Sequence, residues 1–311
     1  MQLLVASAGG HLHQLHHLQR RMSDKPEHLW VTYEVEQAAS MLATQRVICA
    51  HHPTTKNIPN ALRNYWLARR VFREHDVEHV VSTGAAIAVP FMIRARQLGI
   101  PCHYIESATR TDGPSLSGRL LQGLRGVHLY RQFGRWGAPR WKHGPCVFDG
   151  FTASSARARS LSSVVVSLGT HGFGFPALVE RLARCLRDSD ARVLWQLGAT
   201  PDPGYLPGEV VRMLPSHELA AVTAEADVVV GHAGVGLVMT ALAAGKVPVI
   251  SPRRRARKEH TDDHQVQLAR ELSGRGLAIV VEVDDLTLEH LEQAARRTVS
   301  YEDPQPFELA D

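Results

Sequence analysis

The stretch Val228-Val229-Val230-Gly231-His232-Ala233-Gly234-Val235-Gly236-Leu237-Val238-Met239 decides the fold. A run of β-branched apolar residues reads as a buried strand, a turn of small residues closes it, and an apolar helix starts at once. Such a unit belongs to a parallel sheet covered by helices. The backbone N–H groups of Gly234, Val235 and Gly236 are expected to point into the crevice beyond the strand, where glycines allow close approach and the helix dipole favours an anion. A diphosphate fits that description, and so does a tight strand-to-helix turn with no ligand.

Working outward, the same alternation fills the chain. Ser163–Ser167, Val193–Leu197, Val210–Met213, Val247–Ser251 and Ala278–Val281 read as further strands of this half, with helices at Pro176–Leu186, His217–Ala224, Asp262–Leu272 and Leu288–Thr298. The first half repeats the pattern. Its strands are Leu3–Ser7, Leu29–Thr32, Val47–Ala50, His79–Ser82 and Cys102–Ile105, and its helices Leu12–Met22, Glu36–Ala43, Ile58–Glu74 and Ala88–Leu98. From Gly134 to Ser160 the pattern gives way to Gly, Pro, Arg and Ser. The sequence therefore predicts an α/β protein with two Rossmann-like domains, residues 1–150 and 163–311, joined by a linker at 151–162, the second domain including a C-terminal helix.

At 311 residues the chain exceeds a typical single core, which agrees with two domains. Hydrophobic residues at 44% and charged residues at 21% are globular values. Four scattered cysteines without a C-x-x-C pair argue against a disulfide framework or a cysteine zinc site. The apolar run Leu3–Ala6 is too short for a signal-peptide core and lacks a basic leader, so a cytoplasmic protein is expected. A charge of +4 suits anionic partners and solubility equally.

In sheets of this kind ligands sit beyond the carboxyl ends of the strands, so the loops there hold the candidates. After Ser163–Ser167 come Leu168-Gly169-Thr170, whose donors suit the same diphosphate. After Val247–Ser251 comes Pro252-Arg253-Arg254-Arg255-Ala256-Arg257-Lys258-Glu259-His260-Thr261-Asp262-Asp263-His264-Gln265. Glu259, His264 and Gln265 are suited to sugar hydroxyls. His260 and His264 stand at a spacing that also suits a metal, but no further His or Cys ligand stands nearby, and no metal is assigned. The basic run Arg253–Lys258 lacks the interleaved aromatics of a nucleic-acid module, so a phosphate-facing or membrane-facing loop is expected and no nucleic-acid partner. In the first half, Ser7-Ala8-Gly9-Gly10-His11 places His11 at a helix start, where it can serve as a general base or simply hydrogen-bond. Glu106 and Arg110 share the loop after Cys102–Ile105, as acceptor ligands with Glu106 an alternative base, or as a surface ion pair.

Together these segments resemble the bacterial exopolysaccharide and eukaryotic dolichol-pathway transferases that come as two proteins, and more distantly the peptidoglycan N-acetylglucosaminyltransferase of glycosyltransferase family 28. Residues 1–150 resemble the acceptor-binding subunit through Ala8–His11, Ser82–Ala85, Tyr104–Arg110, Ser117–Leu120 and Tyr130–Phe133. Residues 163–290 resemble the donor-binding subunit through Ser167–Thr170, Gly231–Gly236, Glu259-His260 and Asp263–Gln265. The chain looks like a fusion of the two.

The resemblance implies a GT-B fold with the active site in the interdomain cleft, a UDP-sugar donor and inverting, metal-independent transfer without a cofactor. It implies a saccharide or lipid-linked acceptor reached by peripheral membrane contact at the inner face. The sugar is a hexose, glucuronate or N-acetylglucosamine. On this picture His11, or else Glu106, is the base, Gly10, Glu106 and Arg110 bind acceptor, and Met213 and Leu214 lie near the uracil. Gly169, Thr170, Gly234, Val235 and Gly236 hold the diphosphate, Glu259, His264 and Gln265 lie against the sugar, and His232 and His260 are further donor-binding residues. One departure stands out. The dolichol-pathway and peptidoglycan enzymes carry a ribose-binding glutamate where this chain has Thr240. A sugar-nucleotide epimerase, a natural-product glycosyltransferase and a non-catalytic nucleotide-binding protein are the alternatives. A dinucleotide oxidoreductase is disfavoured, because no G-x-G-x-x-G follows the first strand.

Overall fold

A computed structural model describes residues 1–23, 26–52, 57–155, 160–169, 172–260 and 262–309. The chain forms two compact units, Met1–Asp149 with Pro304–Asp311, and Gly150–Asp303.

The first unit runs β1 (Gln2–Ala6), α1 (Gly10–Gln19), β2 (His28–Tyr33), α2 (Glu36–Met41), β3 (Arg46–Ala50), α3 (Ile58–Glu74), β4 (His79–Gly84), α4 (Ala88–Gln97), β5 (Cys102–Ile105), α5 (Leu116–Gln122), β6 (Val127–Arg131) and β7 (Trp141–His143). Its seven strands lie in the order β3-β2-β1-β4-β5-β6-β7, every pair parallel. Leu3, Val5, Val31 and Val80 face Leu67, Val71, Phe91 and Met92 across one core. The chain leaves β1 toward β2 and β3, then returns to the other side of β1 as β4. The crevice at such a reversal is where ligands bind, and here it lies between β1 and β4.

The second unit runs β8 (Phe151–Ser155), β9 (Ser163–Ser167), α6 (Pro176–Cys185), β10 (Arg192–Gln196), β11 (Glu209–Val211), α7 (Ser216–Glu225), β12 (Val228–His232), α8 (Val235–Ala243), β13 (Val249–Ser251), α9 (His264–Gly274), β14 (Ile279–Val280), α10 (Leu288–Ala295) and β15 (Arg297–Tyr301). Six strands form a second parallel sheet, β11-β10-β9-β12-β13-β14, whose reversal lies between β9 and β12. Trp195, Val166, Val230 and Leu182 are among its core residues.

Three expectations are corrected. The expected helix Leu288–Thr298 ends at Ala295, and the β-branched and aromatic residues that follow form β15. Residues 151–155, expected as linker, are strand β8, paired antiparallel with β15 from Phe151↔Tyr301 to Ser155↔Arg297. The last residues belong with the first unit. Phe307 bridges to Met22, its N–H reaching the Arg21 carbonyl at 3.1 Å and its carbonyl taking the Ser23 N–H at 3.1 Å.

Candidate functional site

In the first unit, the β1–β4 crevice holds His11. Gly9 adopts φ 82°, which a glycine accommodates without steric cost, and turns the chain from β1 into α1. The His11 Nδ1 lies 2.7 Å from the Thr83 carbonyl, and the Thr83 hydroxyl donates to the His11 carbonyl at 2.7 Å. A carbonyl only accepts, so the neutral ring carries its proton on Nδ1 and the basic lone pair on Nε2. The ring packs over Gly84, where φ is 102° and where a Cβ would come within 3.1 Å of His11 Cε1. Gly10 opens α1, its carbonyl accepting from Gln14 Nε2 at 3.0 Å.

Glu106 is placed differently from the expectation. It is 1% exposed, and both carboxylate oxygens are engaged inside its own loop. Oε1 accepts from the Ser107 N–H at 3.0 Å, and Oε2 from the Ser115 N–H at 2.8 Å and the Ser115 hydroxyl at 3.0 Å. Burial pushes its carboxyl above the usual range, against those donors and the Arg110 charge. These contacts make it the organiser of the 106–118 loop and weaken its candidacy as a base. The Arg110 N–H bonds to the Ser107 carbonyl at 2.9 Å, which closes the same turn.

A buried amide pair extends the network: Gln132 lies in the Tyr130–Phe133 motif, and nothing in the sequence joins it to Gln14. Gln14 Oε1 accepts from the Ala108 N–H at 2.8 Å and from Gln132 Nε2 at 3.0 Å. Gln132 also donates to the Glu106 carbonyl at 2.9 Å and accepts from the Val147 N–H at 2.9 Å. A glutamine on an amphipathic helix ordinarily faces water, so pattern alone does not reveal Gln14.

In the second unit, His232 is the centre of the β9–β12 crevice, 8% exposed. A methyl group on Gly169 would overlap His232 Nε2, and one on Gly234 would overlap His232 Cε1. Both glycines are therefore required by the imidazole between them, whatever else they approach. The Gly234 N–H bonds to the His232 carbonyl at 2.8 Å, which corrects the expectation that it points into the crevice. Gly234 is the N-cap of α8 and no side chain caps that helix. Its first-turn donors, Val235 and Gly236, fall among the N–H groups that a helix leaves without an internal acceptor. Thr240 returns its hydroxyl to the Gly236 carbonyl at 2.9 Å.

Gln196 of β10 ties the neighbouring loops together. Its Nε2 donates to the Ser167 hydroxyl at 2.8 Å, and its Oε1 accepts from the Leu214 N–H at 2.9 Å. Met213 beside it is exposed. Thr170 lies outside the described residues.

The loop after β13 divides by role. Glu259 and Gln265 are buried, Glu259 Oε2 accepting from the Arg254 N–H at 2.9 Å and Gln265 Oε1 from the Arg253 N–H at 3.1 Å. They hold the loop's backbone. His264 Nδ1 pairs with Asp262 Oδ1, His260 Nδ1 lies 3.5 Å from the same oxygen, and the two rings meet edge-on at 4.5 Å. Ligating atoms of these three residues lie within 4.8 Å of one another. The basic run is not one patch: Arg254 pairs with Glu282, Arg257 with Asp284 at 2.7 Å, and Arg253 is fully buried.

No helix among the described residues is long and apolar enough to cross a membrane.

Residues 163–309 match the glycosyltransferase family 28 C-terminal domain. A UDP-N-acetylglucosamine–N-acetylmuramyl-(pentapeptide) pyrophosphoryl-undecaprenol N-acetylglucosamine transferase of Synechococcus elongatus is 29% identical over 236 residues, which cover 72% of this chain and 64% of that protein. The chain thus spans under two thirds of that relative's length. Among solved structures, MurG of Acinetobacter baumannii aligns with a TM-score of 0.59 at 19% identity, over 94% of this chain and 89% of that one. The glycosyltransferase SnogD from Streptomyces nogalater gives 0.60 at 18%, over 94% and 90%. Residues 163–309 thus resemble a family 28 C-terminal domain, and the fold of the chain is that of GT-B glycosyltransferases such as MurG and SnogD.

Proposed function

We propose that the chain is an inverting glycosyltransferase that moves a sugar from a UDP-sugar to a hydroxyl of a lipid-linked or other glycan acceptor, working at the cytoplasmic face of a membrane. The reading is carried by one coincidence: the family 28 match falls on the unit whose loops after β9 and β12 close around His232, with the Arg253–Gln265 loop beside them. Val235, Gly236 and the α8 dipole face the diphosphate. The His11 Nε2 removes the acceptor hydroxyl's proton as that oxygen bonds to the anomeric carbon, and the bond to phosphate breaks with its electron pair leaving on UDP. Preorganised backbone donors supply the electrostatic stabilisation of UDP, so no divalent cation is required.

The membrane-facing element of this proposal is α3. Ile58, Leu62 and Trp66, at a spacing of four, are 73%, 56% and 61% exposed, with Arg63, Arg69, Arg70 and Arg73 exposed around them. An apolar stripe framed by arginines suits an anionic lipid surface.

The deciding experiment is a thermal-shift screen of UDP-, GDP- and dTDP-sugars followed by a transfer assay with the responding donor. A ligand at a hundred times its Kd adds about 2.7 kcal/mol of stability. Selective response to UDP-sugars, product of inverted anomeric configuration and turnover unaffected by EDTA are expected. Tight UDP binding with neither transfer nor donor hydrolysis overturns the enzymatic reading.

A further inference from the structure

Arg253 is completely buried, yet most of its guanidinium is unanswered. Nη2 donates to the Leu168 carbonyl at 3.0 Å, and the group lies 5.4 Å from the Phe175 ring centroid. Nε and Nη1 have no hydrogen-bond partner among the described residues, and neither does the hydroxyl of Ser251, two residues earlier and 1% exposed. Burying a guanidinium without pairing it is expensive, because each unsatisfied donor forfeits its hydration. Glu259 lends a favourable field, but its Oε2 is bonded to the Arg254 N–H. Burial lowers the Arg253 pKa to about 10, which still leaves it charged at neutral pH.

The path of the side chain says where that charge sits. β12 lies between β9 and β13 in the sheet. A side chain that starts just after β13 and ends on Leu168, just after β9, crosses the carboxyl end of β12. It thereby reaches the loop that runs into Gly169 and passes the end of the strand that carries His232. An anion resting against the first turn of α8 would lie at this same carboxyl end of the sheet.

We infer that Arg253, with the Ser251 hydroxyl, seats an anionic group of the donor, either a phosphate oxygen or a sugar carboxylate. The inference rests on the donor-site reading above and deepens it. The vacant N–H donors on Nε and Nη1 lie on different edges of the guanidinium, so each can take an anionic oxygen by itself. Arg254 and Arg257, by contrast, are already paired with acidic side chains.

The test is calorimetric titration of the whole chain and of Arg253→Met with uridine, UDP, UDP-glucose, UDP-glucuronate and inorganic pyrophosphate. Loss of a charge-assisted pair predicts binding weaker by about tenfold or more, with uridine unaffected. An equal loss for all three nucleotides assigns the phosphate. A loss confined to UDP-glucuronate assigns the carboxylate. Unchanged affinity for every ligand overturns the inference. Should Arg253→Met not fold, the Arg253 Nε–H resonance of the unaltered protein decides: movement on adding UDP or UDP-glucuronate supports the assignment, and a static resonance sinks it. If the unaltered protein binds no uridine nucleotide, the donor reading falls by itself, and the response of that resonance to pyrophosphate still decides the role of Arg253.

Discussion

The Nδ1 of His11 and the carbonyl oxygen of Thr83 lie 2.7 Å apart, across the reversal of strand order between β1 and β4. The contact fixes the tautomer that a general base needs. His11→Ala and His11→Gln should each lower kcat by about 10²–10⁴, with little change in donor affinity, because the glutamine keeps a donor to Thr83 but has no basic nitrogen. Nitrogen NMR of the neutral ring should show the proton on Nδ1. Near-normal turnover in either variant removes His11 from the chemistry.

Glu106 makes the opposite forecast. Its oxygens accept from two backbone N–H groups and the Ser115 and Tyr104 hydroxyls, so Glu106→Gln sets an amide N–H against one of those donors. Melting measurements should register a loss of about 1–3 kcal/mol. Gly118→Ala should act on the same loop, since a Cβ there overlaps Glu106 Oε2. A Glu106→Gln protein of unchanged stability and abolished turnover returns Glu106 to the role of base.

The contrast between His11 and Glu106 shows what local sequence reveals. His11 could be placed because a strand, Gly9-Gly10 and a helix are contiguous, and the crevice follows from that order. The partners of Glu106 come from residue 115 as well as its neighbour, and no periodicity connects them. Helix α3 was legible to its ends because Asn57 caps it, Pro59 sits in its first turn and its apolar stripe has helical spacing. The predicted helix overruns into Arg297-Thr298, the start of β15, because the partner β8 lies about 145 residues earlier and such pairing leaves no local trace. In sequence the glycines read as phosphate contacts, because nothing local shows that His232 lies between Gly169 and Gly234.

That arrangement yields a double-mutant test. Gly234→Ala pushes a methyl group into the His232 ring and should cost about 1–3 kcal/mol, as overpacking does. In a His232→Ala background most of that cost should vanish, because the obstacle is gone. Gly169→Ala should be only partly relieved, since its φ of 75° strains any residue with a Cβ. Additive losses for Gly234 and His232 would mean that the ring does not set the glycine requirement.

For α3, replacing Ile58, Leu62 and Trp66 together by serine should weaken cosedimentation with anionic phospholipid vesicles by about tenfold or more, while melting temperature holds, because all three side chains are exposed. Raising salt should weaken the unaltered protein as the arginines are screened. Vesicle binding that survives the triple replacement moves the membrane contact elsewhere.

The first unit should lose stability in acid through His103. This residue is 1% exposed on β5, stacked on His128 at 5.0 Å, with His79 at 6.0 Å and the Tyr130 hydroxyl 3.4 Å from its Nδ1. Burial, and then the positive potentials of His128, His79 and Lys142, lower its pKa to about 3. The unfolded chain titrates the same group near 6.5, so between these values it binds a proton that the folded chain refuses. The stabilisation is complete above pH 6.5 and disappears as pH falls toward 3. At ~1.4 kcal/mol per pH unit below 6.5, the loss is about 2 kcal/mol at pH 5. Denaturant titrations of the wild type and His103→Leu at pH 7.5 and pH 5 measure it. The variant should show a shallower decline with acid even if it starts from lower stability, and parallel declines would place the acid sensitivity in other groups.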